Sequence, residues 1–154
     1  MSDLAYLSLA SAKEAIRDGS LCPVDYVSAL LSRIETFDSS LNSFLYVDAE
    51  RALTRARSLR DARRRTSVEE LPPLFGIPYS VKDIIDVEGL VTTGQSRVMS
   101  NSAASANAAI VDLMEQAGGI LLGKNSLYEF AIGGPTFDLP WPPARNPWNR
   151  DYMA

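Results

Sequence analysis

The 154 residues suffice for one domain or for a piece of a larger one, and at 46% hydrophobic and 22% charged they can bury a core. A net charge of −4 excludes a broadly basic nucleic-acid-binding surface. The absence of histidine excludes a Ser-His-Asp triad, a Cys-His pair and His-ligated zinc, and a single cysteine, Cys22, excludes internal disulfides and thiolate metal clusters. Acid–base chemistry near neutral pH then falls to a Lys, Asp, Glu or Tyr in a perturbing environment. The opening Met1-Ser2-Asp3-Leu4-Ala5-Tyr6 lacks a basic start followed by an apolar run. No stretch approaches the roughly 20 apolar residues of a membrane span. A cytoplasmic protein with no membrane partner is expected.

In chain order, Ser8 is placed to cap a helix whose Leu9, Ala12 and Ile16 share a face, with Gly19 as its stop. Pro23 suits the first position of the next helix, where Val27, Leu30, Leu31 and Ile34 face a core and Cys22 falls at the N-cap. Phe44 to Val47 reads as a short strand. Asp48 then caps a third helix with the apolar stripe Ala52, Ala56 and Leu59. Residues 48–65 hold seven arginines against three acids, while the segments before and after are net acidic. These arginines read as a solvated helix face, with an acidic partner as the alternative.

Thr66 to Pro73 reads as a linker. Phe75 to Lys82 reads as a strand entering a core, and Ala106 to Ala117 as a helix buried through Ala109, Ile110, Leu113 and Met114. Gly118-Gly119 stops that helix, and Ile120-Leu121-Leu122 forms a strand ending at Gly123. Strand, helix, strand predicts a right-handed crossover and parallel pairing. Gly133 to Trp148, rich in Gly, Pro and Trp, reads as loop, with Trp141 and Trp148 anchoring it by burying their rings.

Lys82 draws attention because Ile77-Pro78-Tyr79-Ser80-Val81 leads it inward. Burial penalises a charged amine, and a neutral lysine is a usable base where histidine is absent. Asp83 and Asp86 read as turn residues. Ser80 shares a strand face with Lys82. Thr92-Thr93-Gly94-Gln95-Ser96 is a polar loop whose glycine permits close backbone approach.

The run Leu74-Phe75-Gly76-Ile77-Pro78-Tyr79-Ser80-Val81-Lys82-Asp83 resembles the lysine motif of the amidase signature family. Its continuation agrees: Ile84 to Leu90, Thr92 to Ser96, Gly118 to Lys124, Glu129 to Gly133, and Arg145-Asn146-Pro147-Trp148-Asn149. The resemblance implies an α/β fold in which N-terminal helices (1–65) precede the start of a mixed, largely parallel sheet (74–154), as an incomplete domain. It implies hydrolysis of carboxylic amide C–N bonds by a Ser–cis-Ser–Lys triad, with Lys82 as the lysine and no metal or cofactor. Thr93, Gly94 and Gly133 are the implied substrate-lining positions, and the implied partner is a small-molecule amide.

The family's Gly-Gly-Ser-Ser-like stretch follows the Asn-Pro-Trp motif, and none occurs after Trp148 here. The chain is therefore expected to be the N-terminal third of a family domain, inactive alone because triad residues act as a unit. Ser80 and Ser96 lack the surroundings of the family's serines, and Gln95 stands where many members have glycine. Unfinished cover is expected over Ile77, Val81, Ile120, Leu121 and Leu122. Two other readings stay open: a non-catalytic fragment that joins a complementary amidase chain, or part of a tRNA-dependent amidotransferase of the A type, the one case with a nucleic-acid partner.

Overall fold

The computed structural model describes residues 4–99, 101–135 and 137–154. Residues 1–3, the start of the segment read for a leader, lie outside the described residues, as do Ser100 and Thr136. The described chain divides into two compact units interleaved in sequence: residues up to 35 with 48–79 and 113–122, and residues 36–47 with 80–112 and 123–154.

Helix α1 runs Leu9–Asp18. The Ser11 N–H donates to the Ser8 hydroxyl at 3.1 Å, and Gly19 ends the helix in the left-handed conformation at φ +87°. Ala12 and Ile16 are buried but Leu9 is 60% exposed, so the core face begins one turn later than the spacing implies. Helix α2 runs Pro23–Leu41. Its Val27 is fully buried, while Leu30, Leu31 and Ile34 pack partly buried against the same core. Strand β1 is Phe44–Val47, and helix α3 is Ala49–Arg63. The Asp48 carboxylate accepts the Arg51 N–H at 3.2 Å, and Ala52, Ala56 and Leu59 are all buried as the stripe predicts.

The arginine face of α3 is not merely solvated. Arg55 donates to the Glu115 carbonyl at 3.1 Å and Arg63 to the Arg17 carbonyl at 2.7 Å. Arg17 in turn donates to the carbonyls of Val68 (2.6 Å) and Leu71 (3.3 Å), in and after the single 3-10 turn Val68–Glu70. Loop and helix-end carbonyls have no ladder partner, and a guanidinium carries five donors.

Strand β2 is Pro78–Lys82, helix α4 is Ala109–Gln116 and strand β3 is Ile120–Asn125. The sheet order is β1-β3-β2. Strand β1 runs antiparallel to β3 in the register Tyr46↔Lys124 and Val47↔Gly123, with an irregularity between Phe44 and Tyr46. A Cβ at position 123 would overlap the Tyr46 carbonyl, so glycine lets the strands close there. On the other side, the Ile120 N–H bonds the Ile77 carbonyl (2.9 Å) and the Asp83 N–H bonds the Asn125 carbonyl (3.1 Å). Both chains advance together between these bonds, so β2 and β3 are parallel and the sheet is mixed.

Three expectations change. Phe75 to Ile77 form a turn rather than strand, the Ile77 N–H bonding the Leu74 carbonyl. Strand β3 continues past Gly123 through Asn125. The residues expected to lack cover, Ile77, Val81, Ile120, Leu121 and Leu122, are all below 9% exposed. Strand β3 is central, and Ile77, Ile120 and Leu122 join one core cluster with Ala12, Ile16, Val27 and Ala52. Exposed apolar surface lies instead on α4, where Ile110 and Leu113 are 49% and 60% exposed and only Val111 is buried. The bond from the Ala108 N–H to the Asp86 carbonyl sets the helix start, and Val111, not the predicted stripe, turns inward. Among the described residues, no helix is long and apolar enough to cross a membrane.

Candidate functional site

The interior of the second unit is unusually polar: Asp83, Gln95, Ser96 and Lys124 are all buried there, with Val81, Val87 and Leu127. Its centre is an ion pair between Lys124 and Asp83, whose side chains are 1% and 2% exposed and 2.6 Å apart. Lys124 Nζ also donates to the Val91 carbonyl (2.9 Å) and the Thr92 hydroxyl (2.7 Å), so all three ammonium donors are used. The second carboxylate oxygen of Asp83 accepts the Thr93 N–H (3.0 Å) and the Thr93 hydroxyl (2.5 Å). A buried charge pair persists only when both members are paired and hydrogen-bonded in this way.

This arrangement corrects the turn reading of Asp83. Strand alternation explains it: Val81 and Asp83 point inward, while Ser80 and Lys82 point outward. The same alternation leaves Lys82 exposed rather than buried. The buried lysine is Lys124, which the motifs leave without a role. Its signal is present in the sequence: a fully apolar strand buried on both faces carries the next residue inside with it.

The loop after β2 is tied back to the strand end. The Gly94 N–H bonds the Asp83 carbonyl at 3.0 Å, and the Phe130 N–H bonds the Gly94 carbonyl at 2.8 Å. Gly94 is at φ +56°, and a Cβ there would lie 3.3 Å from the Phe130 ring. Thr93 and Gly94 are thus held beside the residue that follows Lys82. Phe130 and Ala131 both have left-handed backbone, at φ +53° and +60°, where non-glycine residues are strained. Gly133 follows, exposed, with nothing within 4 Å of a built Cβ, so the structure does not bring it against the Asp83–Gly94 group.

Gln95, at the position where glycine is common in the resembling family, also takes a left-handed conformation at φ +51°. Its side-chain carbonyl accepts the Leu127 N–H at 2.8 Å, and its amide donates to the Trp141 carbonyl at 3.4 Å. The side chain therefore ties together three loop segments that glycine would leave unlinked. The buried Ser96 hydroxyl donates to the Glu129 carboxylate at 2.6 Å. Trp148 is 94% exposed and does not bury its ring as expected, and Trp141 is half-buried. A cleft of about 300 Å³ opens beside this group, with Tyr46, Leu90 and Trp141 as apolar walls and Asp83 and Thr93 among its polar lining.

A family model described as Amidase matches residues 25–154. Two similar proteins are named as the A-type component of glutamyl-tRNA(Gln) amidotransferase. The one from Thermobifida fusca (strain YX) is 36% identical over 98% of this chain and 30% of its own length. The one from Roseiflexus sp. (strain RS-1) is 37% identical over 97% and 30%. A solved structure described as a vestigial protein complex revealing the evolutionary origins of an s-triazine catabolic enzyme matches with a TM-score of 0.88 and 32% identity. That match covers 96% of this chain and 32% of that one. The chain spans about 30% of the length of the curated relatives it matches.

Proposed function

Because the chain belongs to the Amidase family, we propose that it supplies the lysine base of a Ser–cis-Ser–Lys amide hydrolase. Lys82 is that base, and the two serines come from polypeptide outside these residues. A free serine hydroxyl is scarcely ionised at neutral pH and needs a base within reach. The Lys82 amine accepts a proton passed from the nucleophilic serine by the second serine. The nucleophile attacks the amide carbonyl, the amine leaves with a proton, and water releases the acid. Backbone N–H groups stabilise the oxyanion.

The observation that carries this reading is the anchoring of the backbone around Lys82. The residue ends β2 beside β3, and the next residue is locked by Lys124, Val91, Thr92 and Thr93 contacts. Catalysis by positioning requires such a fixed base. The exposed amine is open to a hydroxyl brought from outside, and the incoming polypeptide supplies the water-poor wall. Thr93 and Gly94, held against Asp83, line the substrate together with Gly133. Ser96 cannot serve as nucleophile while it donates its proton to Glu129.

The test is ammonia release from small primary amides. The 154-residue chain alone should release none. Addition of a polypeptide carrying the Gly-Gly-Ser-Ser stretch should restore turnover, and Lys82→Met should remove it again. Turnover by the mixture that survives Lys82→Met would refute the assignment.

The relatives named for glutamyl-tRNA(Gln) amidotransferase favour a second reading, in which the released ammonia is passed to misacylated tRNA. Glutamine-dependent activity that requires ATP and the charged tRNA supports it; plain hydrolysis without either supports the amidase. The match to a vestigial protein complex makes a partner chain the natural source of the missing serines in either case.

A further inference from the structure

The first unit holds a second cleft, of about 300 Å³, where the joint between α1 and α2 meets the last turn of α3. Its apolar floor includes Ile16 and Leu21, the Cys22 thiol lies on its wall, and Arg60, Arg63 and Arg64 line it. Among the described residues, no carboxylate lines it. Asp61 is bound to Arg60 Nε at 2.9 Å, leaving the terminal nitrogens of that guanidinium, and the Asp18 carboxylate accepts the Ser20 N–H at 2.8 Å. Arg63 Nη2 donates to the Arg17 carbonyl, but its Nε is buried with no acceptor. A buried donor without an acceptor is costly and marks a place where an acceptor belongs. The N-terminus of the 19-residue α2, with Pro23 in its first position, adds its positive end to the same cleft.

We propose that this cleft binds a dianion of the phosphate class, as inorganic phosphate or as the phosphate of a small monoester. Three guanidiniums match a dianion with several acceptor oxygens better than they match a single carboxylate. The apolar floor leaves room for a small organic body. Nothing in this inference depends on the amidase chemistry of the other unit.

Cys22 is the only cysteine in the chain and reports on its own cleft. Its reaction rate is measured with a dianionic disulfide, dithiobis(nitrobenzoate), and with a neutral one, dithiodipyridine. The dianionic reagent should be favoured in the native chain, and Arg60→Gln/Arg64→Gln should lower that preference about two- to fivefold. Inorganic phosphate should slow the dianionic reagent saturably, and more than chloride does at equal ionic strength. Stronger competition by phenyl phosphate assigns a monoester, and equal competition assigns free phosphate. Arg64→Gln alone is the fallback if the double variant does not fold. Equal slowing by phosphate and chloride, or a reagent preference unchanged in a folded variant, overturns the proposal.

Discussion

Replacing Lys124 by methionine keeps the side chain's length and removes its charge. The Asp83 carboxylate, 2% exposed, would then lose its 2.6 Å ion pair, and the Val91 carbonyl and Thr92 hydroxyl would lose their donor. Breaking a buried pair from one side costs about 3–5 kcal/mol, chiefly because the remaining charge stays buried. That is a large share of the roughly 5–15 kcal/mol that stabilises a domain. With a urea dependence of about 2 kcal/mol/M, the unfolding midpoint should fall by roughly 1.5–2.5 M. Urea titration followed by circular dichroism measures it. Adding Asp83→Asn in the same chain removes the orphan charge yet keeps an acceptor for Thr93. The double variant should recover at least about 1 kcal/mol over Lys124→Met, a coupling expected only of interacting groups. A midpoint shift below about 0.3 M, or a double variant no more stable than the single, would refute the view that this pair organises the second unit.

At Gln95 two effects oppose each other. Gln95→Gly relieves a left-handed backbone worth about 1 kcal/mol but orphans the Leu127 N–H, which costs about 1–3 kcal/mol, and unburies the side chain. Thermal unfolding should rank the wild type above Gln95→Gly and Gln95→Ala lowest; a glycine variant more stable than wild type would mean that strain dominates. Burial pushes the Tyr26 phenol above its ordinary value near 10. The neutral phenol is favoured in the folded state, so its contribution is complete below about pH 10 and is lost as pH rises through the folded value. Tyr26→Phe should therefore leave neutral-pH stability nearly unchanged and flatten the decline above about pH 10 in urea titrations at stepped pH.

Much of the helical part is legible in the sequence because its signals are local. Ser8, Gly19, Pro23 and Asp48 each act within one turn of their own position, and the Ala52, Ala56, Leu59 stripe needs only the helical repeat to find the core. Helix α4 is not legible in the same way, because its apolar residues occur on more than one face, and a face is buried only where another element lies against it. The arginines of α3 escape sequence reasoning for a related reason. The carbonyls they satisfy, such as Arg17 and Glu115, lie 46 and 60 residues away.

The residues alone determined the cap positions, the helical stripes, the strand alternation around Lys82, and the motif order that points to the amidase family, since each is written in neighbours along the chain. Only the tertiary structure decided that Lys124 is the buried amine and Lys82 the exposed one. A lysine enters an interior only where acceptors from separate segments converge on it, and Val91, Thr92 and Asp83 do so across more than thirty residues of chain.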